Sequence, residues 1–198
     1  MNPKEPRLWT LSSGGDQTFI CSTDRAHIQD HQVGAAFASD LVWWAKPLSP
    51  AQLAICLDNS LCFGLYDATT TTTTTTTGWN MVGFARVITD YVTFAYLTDV
   101  YVLEGFQGKG LGRWMMRCVD ETLKGWPDLR RCVLFTKGAS NVRLYEEVMG
   151  MMDVNAPKVG AKVEGKEEVG GPNGGKEENG EGLVIMQKFG RASPYYVG

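Results

Sequence analysis

Four glycines fall within eight residues in the stretch EGFQGKGLGRWMMRCV, residues 104–119, and a row of large apolar side chains follows at once. Gly108, Gly110 and Gly112 alternate with Lys109 and Leu111. Residues without a Cβ let a ligand approach the backbone and adopt positive φ at little cost. The first-turn N–H groups of a helix lack intrahelical acceptors and sit at the positive end of the helix dipole. A glycine loop that runs straight into a helix can therefore seat an anion, and a phosphate is the natural occupant. The competing reading is a tight turn and nothing more. Two nucleotide loops are excluded by particular residues. The P-loop needs Ser or Thr after Gly-Lys, where this chain has Gly110, and counting from Gly108 gives GxGxG in place of the dinucleotide pattern GxGxxG.

Asp99 is a lone charge inside the apolar run YLTDVYV. Burial of a carboxyl there raises its pKa toward the range useful to a general base. The alternative is a structural carboxylate bonded to backbone amides or to a tyrosine. His27 and His31 are spaced i, i+4, but no third ligand type is arranged around them, so no metal site is expected. Cys21, Cys56, Cys62, Cys118 and Cys132 are an odd set without a CxxC pair, mostly within apolar runs, and read as buried free thiols.

These groups need elements to hold them. Residues rich in β-branched and aromatic types predict seven strands, at 18–22, 60–66, 81–89, 93–102, 131–136, 151–154 and 183–189. Helices are expected across 29–39, in SPAQLAICLDN with Ser49 as cap and Pro50 in the first turn, from Leu111, and over 140–149. In the third, Leu111, Trp114, Met115, Cys118, Val119 and Leu123 form one stripe that ends at Gly125 and Pro127. The order is strand, two helices, three strands, helix, strand, helix, two strands, which specifies an α/β (α+β) fold with a mixed sheet dominated by antiparallel hairpins.

One domain is expected over residues 1–198, interrupted by two low-complexity stretches: the threonine tract at 69–77 and the Gly/Glu/Lys-rich run at 159–182. The tract lies between two strand-like runs and reads as an overgrown hairpin loop. Hydrophobic residues make up 43% and charged residues 21%, and no apolar run approaches the roughly 20 residues that cross a bilayer. The net charge of −3 argues against a duplex-binding surface and weakly favours a cationic substrate. The opening residues resemble neither a secretory signal nor a transit peptide, so the expected address is the cytosol.

The stretch VYVLEGFQGKGLGRWM resembles the acyl-CoA-binding signature Gln/Arg-x-x-Gly-x-Gly/Ala of the GNAT (Gcn5-related N-acetyltransferase) superfamily, with Gln107, Gly110 and Gly112 filling it. GASNVRLYEEVMGMM is similar to the LYEKLGF segment of that family's fourth helix, and the likeness runs from about Ser60 to Met152. The resemblance implies the GNAT fold, with about seven strands and four helices and a splay between strands four and five. It implies acetyl-CoA as cosubstrate, with Gln107, Gly108, Lys109, Gly110, Leu111, Gly112 and Arg113 about the pyrophosphate. Val100, Tyr101 and Val102 would follow the pantetheine arm and supply a backbone N–H to the reacting oxygen. Where the family commonly has an Asn seven residues before its tyrosine, this chain has Gly138; Asn141 lies four before and is the candidate pantetheine contact.

Transfer to a lysine-like amine at pH 7 requires loss of a proton at a cost of about 4.6 kcal/mol. Asp99 is the candidate base. The departing thiolate needs a proton in return, and the resemblance makes Tyr145 the general acid. In the family, acceptor choice comes from the first helices and the late hairpin, where Asp40, Trp43, Trp44, Tyr66 and Tyr96 are candidate wall residues. The implied activity is N-acetylation of a small primary amine. A protein lysine or N-terminal acetyltransferase, or a CoA-binding module without transfer, are the alternatives. Oligomeric state, a homodimer included, is left open.

Overall fold

Among the residues that the computed structural model describes, 2–13, 17–69, 78–156 and 182–196, eight strands build one sheet. They are β1 (Leu8–Ser13), β2 (Gln17–Ser22), β3 (Leu61–Asp67), β4 (Asn80–Thr89), β5 (Phe94–Val102), β6 (Arg131–Thr136), β7 (Met152–Asp153) and β8 (Val184–Phe189). Across the sheet they lie in the order β1-β2-β3-β4-β5-β6-β8-β7. Every neighbouring pair is antiparallel except β5 and β6, which run parallel because a helix crosses over between them. Residues 70–77 of the threonine tract and 159–181 of the Gly/Glu/Lys-rich run lie outside the described residues. The strands that flank the tract pair directly, with Asp67 opposite Asn80.

The four α-helices are α1 (Asp30–Phe37), α2 (Pro50–Asp58), α3 (Leu111–Lys124) and α4 (Ala139–Met149). Ser49 and Gln52 form a capping box at α2, with Pro50 in the first turn. Helices α3 and α4 cover one face of the sheet, where Leu111, Met115, Cys118 and Val119 meet Phe63, Val82, Ala85 and Leu97. Helices α1 and α2 cover part of the other, packing Val33, Phe37, Leu53 and Leu57 on Tyr66, Phe84 and Tyr101. Asp120, buried on α3, is bonded to Lys188 of β8 and Lys124, so an ion network ties the late strand to the helix.

The strand not expected from sequence is β1. Its run LWTLSS offers only Trp9 and Leu11 to the core, while Leu8 is exposed, so its apolar signal is short and one-sided. Side-chain contacts hold it: Trp9 stacks on Phe63 and donates its indole N–H to Glu121. No helix among the described residues is long and apolar enough to cross a membrane.

Candidate active site

The sheet parts at one place. β5 and β6 pair from Phe94 opposite Arg131 to Leu97 opposite Leu134 and no further. Beyond that point β5 stays with β4, Tyr101 opposite Phe84 and Val102 opposite Gly83. β6 stays with β8, Phe135 opposite Ile185 and Thr136 opposite Val184. A gap opens between them, at the pair of strands where the resemblance puts the splay, counted one higher because β1 precedes them.

Just past the parting, β5 bulges. Thr98 faces Arg86 and Tyr101 faces Phe84, so Asp99 and Val100 together oppose the single residue Ala85. Asp99 takes a left-handed conformation, φ 52°, at a cost of about 1 kcal/mol or more for a residue with a Cβ. Leu103 donates its N–H to Val82 of β4. Strand alternation then points the Val102 N–H, and that of Val100 two residues earlier, into the gap. The Val102 carbonyl accepts a hydrogen bond of 2.8 Å from the Gln107 side chain, which folds the glycine loop back onto the end of β5.

The loop places its glycines where backbone is needed. Gly108 and Gly110 both have φ 75°, and a Cβ added at either would meet nothing within 4 Å, so the space above them is open. Gly110 is the N-cap of α3 and supplies no side-chain cap, which leaves the first-turn N–H groups to an external acceptor. Leu111 and Trp114 are buried beneath and fix the helix end in place. This cradle fits a diphosphate: bare amides, positive dipole and no side chain in the way. The charged neighbours are turned elsewhere. Lys109 lies over the Phe106 ring, and Arg113 pairs with Glu147 of α4 at 2.7 Å, bridging the two helices. Asn141 donates to the carbonyl of Lys137 and so secures its own turn.

Tyr145 projects from α4 into the cluster that holds Leu97 and Leu134, the last residues paired before the gap. It is buried, and desolvation pushes its phenol up to about 12. Tyr101, by contrast, turns its ring to the α1–α2 face beside Phe84, and only its backbone borders the gap.

Asp99 is not a free carboxylate. Nε and Nη2 of Arg86 both donate to its Oδ2, at 2.7 and 2.6 Å, while among the described residues Oδ1 receives only the Thr98 hydroxyl at 3.3 Å. The third guanidinium nitrogen reaches the Ser60 hydroxyl, which donates to the Cys56 carbonyl near the end of α2. Arg86 belongs to no motif in the sequence. Its signal, a charge inside the apolar run GFARVIT, is the same one that singles out Asp99.

The other wall candidates divide. Trp43 follows a 3-10 turn at Asp40–Val42 that is anchored by fully buried Val42. It is 65% exposed, packs edge-to-face on Trp44, and has the Lys137 ammonium 5.9 Å from its ring centre. Because Lys137 directly follows β6, this aromatic pair stands at the β6 lip of the gap. Tyr96 of β5 meets Phe135 of β6 edge-to-face, on the same side of the sheet. Asp40 is exposed at the head of the turn. Among the described residues Tyr66 borders no opening and its hydroxyl has no hydrogen-bond partner: it is wholly buried under α1 and α2, over Gly64, whose lack of a Cβ makes room for its ring. His27 bonds Ser22 and packs on Trp79. Among the described residues no three His, Cys, Asp or Glu side chains form a metal-binding group. A cleft of about 540 Å³ bounded by Arg25, Asp58, Ser60 and Tyr91 lies by the β4–β5 turn, at the far end of the sheet from the glycine loop.

A sheet parted between two parallel strands, with a glycine loop and an uncapped helix end at the parting, defines a class of protein, the acetyltransferases of GNAT fold. The chain belongs to that family: the family described as "Acetyltransferase (GNAT) family" matches residues 38–151, reaching further toward the N-terminus than the likeness that starts near Ser60. A relative from Gibberella zeae, named "Putative acetyltransferase FG08082", is 42% identical over 162 residues, covering 77% of this chain and 87% of its own. A solved structure from Xanthomonas campestris pv. campestris, titled a "putative acetyltransferase belonging to the gnat family", is 32% identical over 65% of this chain and 82% of its own, with TM-score 0.50. The fold is also that of spermidine N-acetyltransferase from Vibrio cholerae, solved with CoA and spermine, at 18% identity over 93% of this chain and 95% of that one, TM-score 0.51.

Proposed function

We propose that this protein transfers the acetyl group of acetyl-CoA directly to a primary amine of a small molecule. The observation that carries the reading is the coincidence of three features at one place: the parting of β5 from β6, the bare helix end beside it, and Tyr145 beneath it. Bound acetyl-CoA supplies an acyl carbon activated by a thioester.

On this reading residues 108–113 hold the pyrophosphate by backbone amides, and Val100 and Val102 offer N–H groups to the pantetheine arm and to the thioester oxygen as it gains charge. One such preorganised donor is worth about 3 kcal/mol. The amine enters from the Trp43 and Tyr96 side. Asp99 presents Oδ1, the oxygen that Arg86 leaves uncovered, to its N–H groups, and takes up or orients the proton that must leave. The N–C bond forms, the C–S bond breaks, and the sulfur accepts a hydrogen bond from Tyr145. With the phenol at about 12 and an ordinary thiol near 8.5, complete proton transfer is uphill by roughly 5 kcal/mol. Tyr145 therefore acts first as a hydrogen-bond donor, and hands its proton to sulfur as the second proton of the amine nitrogen, freed when the N–C bond forms, replaces it.

A small acceptor is favoured because Trp43 and its Lys137 contact cover the β6 lip of the opening. The reading treats residues 1–198 as one domain that tolerates the two low-complexity stretches, and the five free thiols suit the reducing cytosol. The test is a panel of amines, from polyamines to amino acids, aryl-alkyl amines and lysine peptides, with release of CoA thiol as readout. Small amines should support turnover, and Tyr145→Phe should lower kcat about 100-fold with acetyl-CoA affinity kept within about threefold. Turnover on peptides alone would replace the small-molecule reading. An unchanged rate for Tyr145→Phe would remove that residue from the chemistry.

A further inference from the structure

Two residues other than glycine have positive φ among the described residues, and they differ in what holds them. Tyr91 sits in the β4–β5 turn, braced by Asp90, whose carboxylate takes the N–H groups of Val92, Thr93 and Phe94. Asp99 sits inside a strand, and no turn accounts for its conformation. It lies in the bulge opposite Ala85, and its side chain is bonded at 2.6 and 2.7 Å to a guanidinium that is itself nearly buried. Arg86 lies on β4 one residue from the bulge, opposite Thr98. Its remaining nitrogen bonds Ser60, whose hydroxyl is fixed to the last turn of α2.

We propose that Arg86 is a positioning residue that locks the β5 bulge through Asp99, and so fixes the aim of the Val100 and Val102 N–H groups that face the gap. The lock is anchored to α2 through Ser60. A buried pair of this kind contributes little net stability compared with apolar packing, but it imposes one geometry on the groups it joins. Loss of the guanidinium frees Asp99 to leave the left-handed region, and the neighbouring amides then lose their alignment. The proposal rests on the acetyltransferase reading only for its kinetic arm.

Three variants test it: Arg86→Lys, Arg86→Gln and Ser60→Ala. Rates are expressed per folded molecule, with melting temperature recorded. Amide hydrogen exchange at Tyr101 and Leu103, whose N–H groups tie the bulged end of β5 to β4 and so set the aim of Val100 and Val102, is followed in the folded protein. Arg86→Gln should lower kcat about 30-fold, with the KM for the amine changed less than threefold and exchange at the two amides accelerated about tenfold. Arg86→Lys, which can still pair with Asp99, should recover part of both effects. Ser60→Ala, which leaves the pair and removes its anchor, should show about a threefold loss of kcat. A kcat within twofold of wild type in Arg86→Gln overturns the lock, as does a change confined to the amine KM. If Arg86→Gln does not fold, wild-type exchange at Tyr101 and Leu103 in Arg86→Lys and Ser60→Ala overturns it equally. Exchange is read without turnover. A wild-type protein that acetylates no amine therefore defeats the proposed function, while the exchange data still decide for or against the lock.

Discussion

The two sides of the gap are built from different materials. On the α3–α4 side the cradle is backbone: two glycines with positive φ, an uncapped helix end and strand amides, with Lys109 and Arg113 turned to other partners. On the α1–α2 side the walls are side chains from separate elements: Trp43 after a short turn, Tyr96 from β5, Phe135 and Lys137 from the end of β6, and Asp99 held by Arg86. A surface made of backbone can serve a ligand that never changes. A surface made of side chains can be altered one residue at a time without disturbing the fold.

The contrast sets out its own tests. The largest effect after the loop itself belongs to Tyr145, where the expected loss in kcat is about 100-fold and the donor site keeps its affinity. Since burial pushes this phenol to about 12, it remains protonated at neutral and mildly alkaline pH, and it should impose no fall in kcat below about pH 11. A basic limb that disappears in Tyr145→Phe at pH 8 or 9 would contradict this. Trp43→Ala should raise the KM for the preferred amine about tenfold, the loss of one stacking or cation–π contact, and leave the KM for acetyl-CoA alone. Its exposure means that melting temperature should hardly move. An equal rise in both KM values would place Trp43 on the donor side and erase the distinction. The smallest effect is expected at Tyr66. Removing its unpartnered hydroxyl in Tyr66→Phe should leave kinetics unchanged and be neutral or stabilising by up to about 1 kcal/mol in denaturant unfolding. Altered amine selectivity there would return Tyr66 to the acceptor wall.

The same contrast explains what could be read from the residues. The glycine-loop side is contiguous in sequence, because a cradle made of backbone must spell itself out as Gln107, Gly108, Gly110 and Gly112 in one run. The α3 stripe and the Ser49 cap are equally local and equally plain. The acceptor side joins positions far apart in the chain, and residue type alone does not say which face a side chain takes. Tyr66 and Tyr96 look alike in their strands, yet one lies under α1 and α2 and the other beside the opening, because those helices cover only part of the sheet. Asp99 and Arg86 are each legible as an odd charge in an apolar run, but their pairing is not, since it forms across two strands at a bulge that no local pattern announces. β1 escaped for a related reason: it is held by Phe63 and Glu121, residues distant in the chain.

The central claim is that the loop at 108–113 seats the pyrophosphate of acetyl-CoA by backbone alone. Calorimetric titration of acetyl-CoA into the wild type and Gly110→Val tests it most directly. The φ of 75° makes a branched side chain costly there, and the open space above the loop is what it would fill. One equivalent should bind the wild type, and Gly110→Val should lose at least 100-fold in affinity while keeping its fold by circular dichroism. Equal affinity in the two proteins would contradict the account.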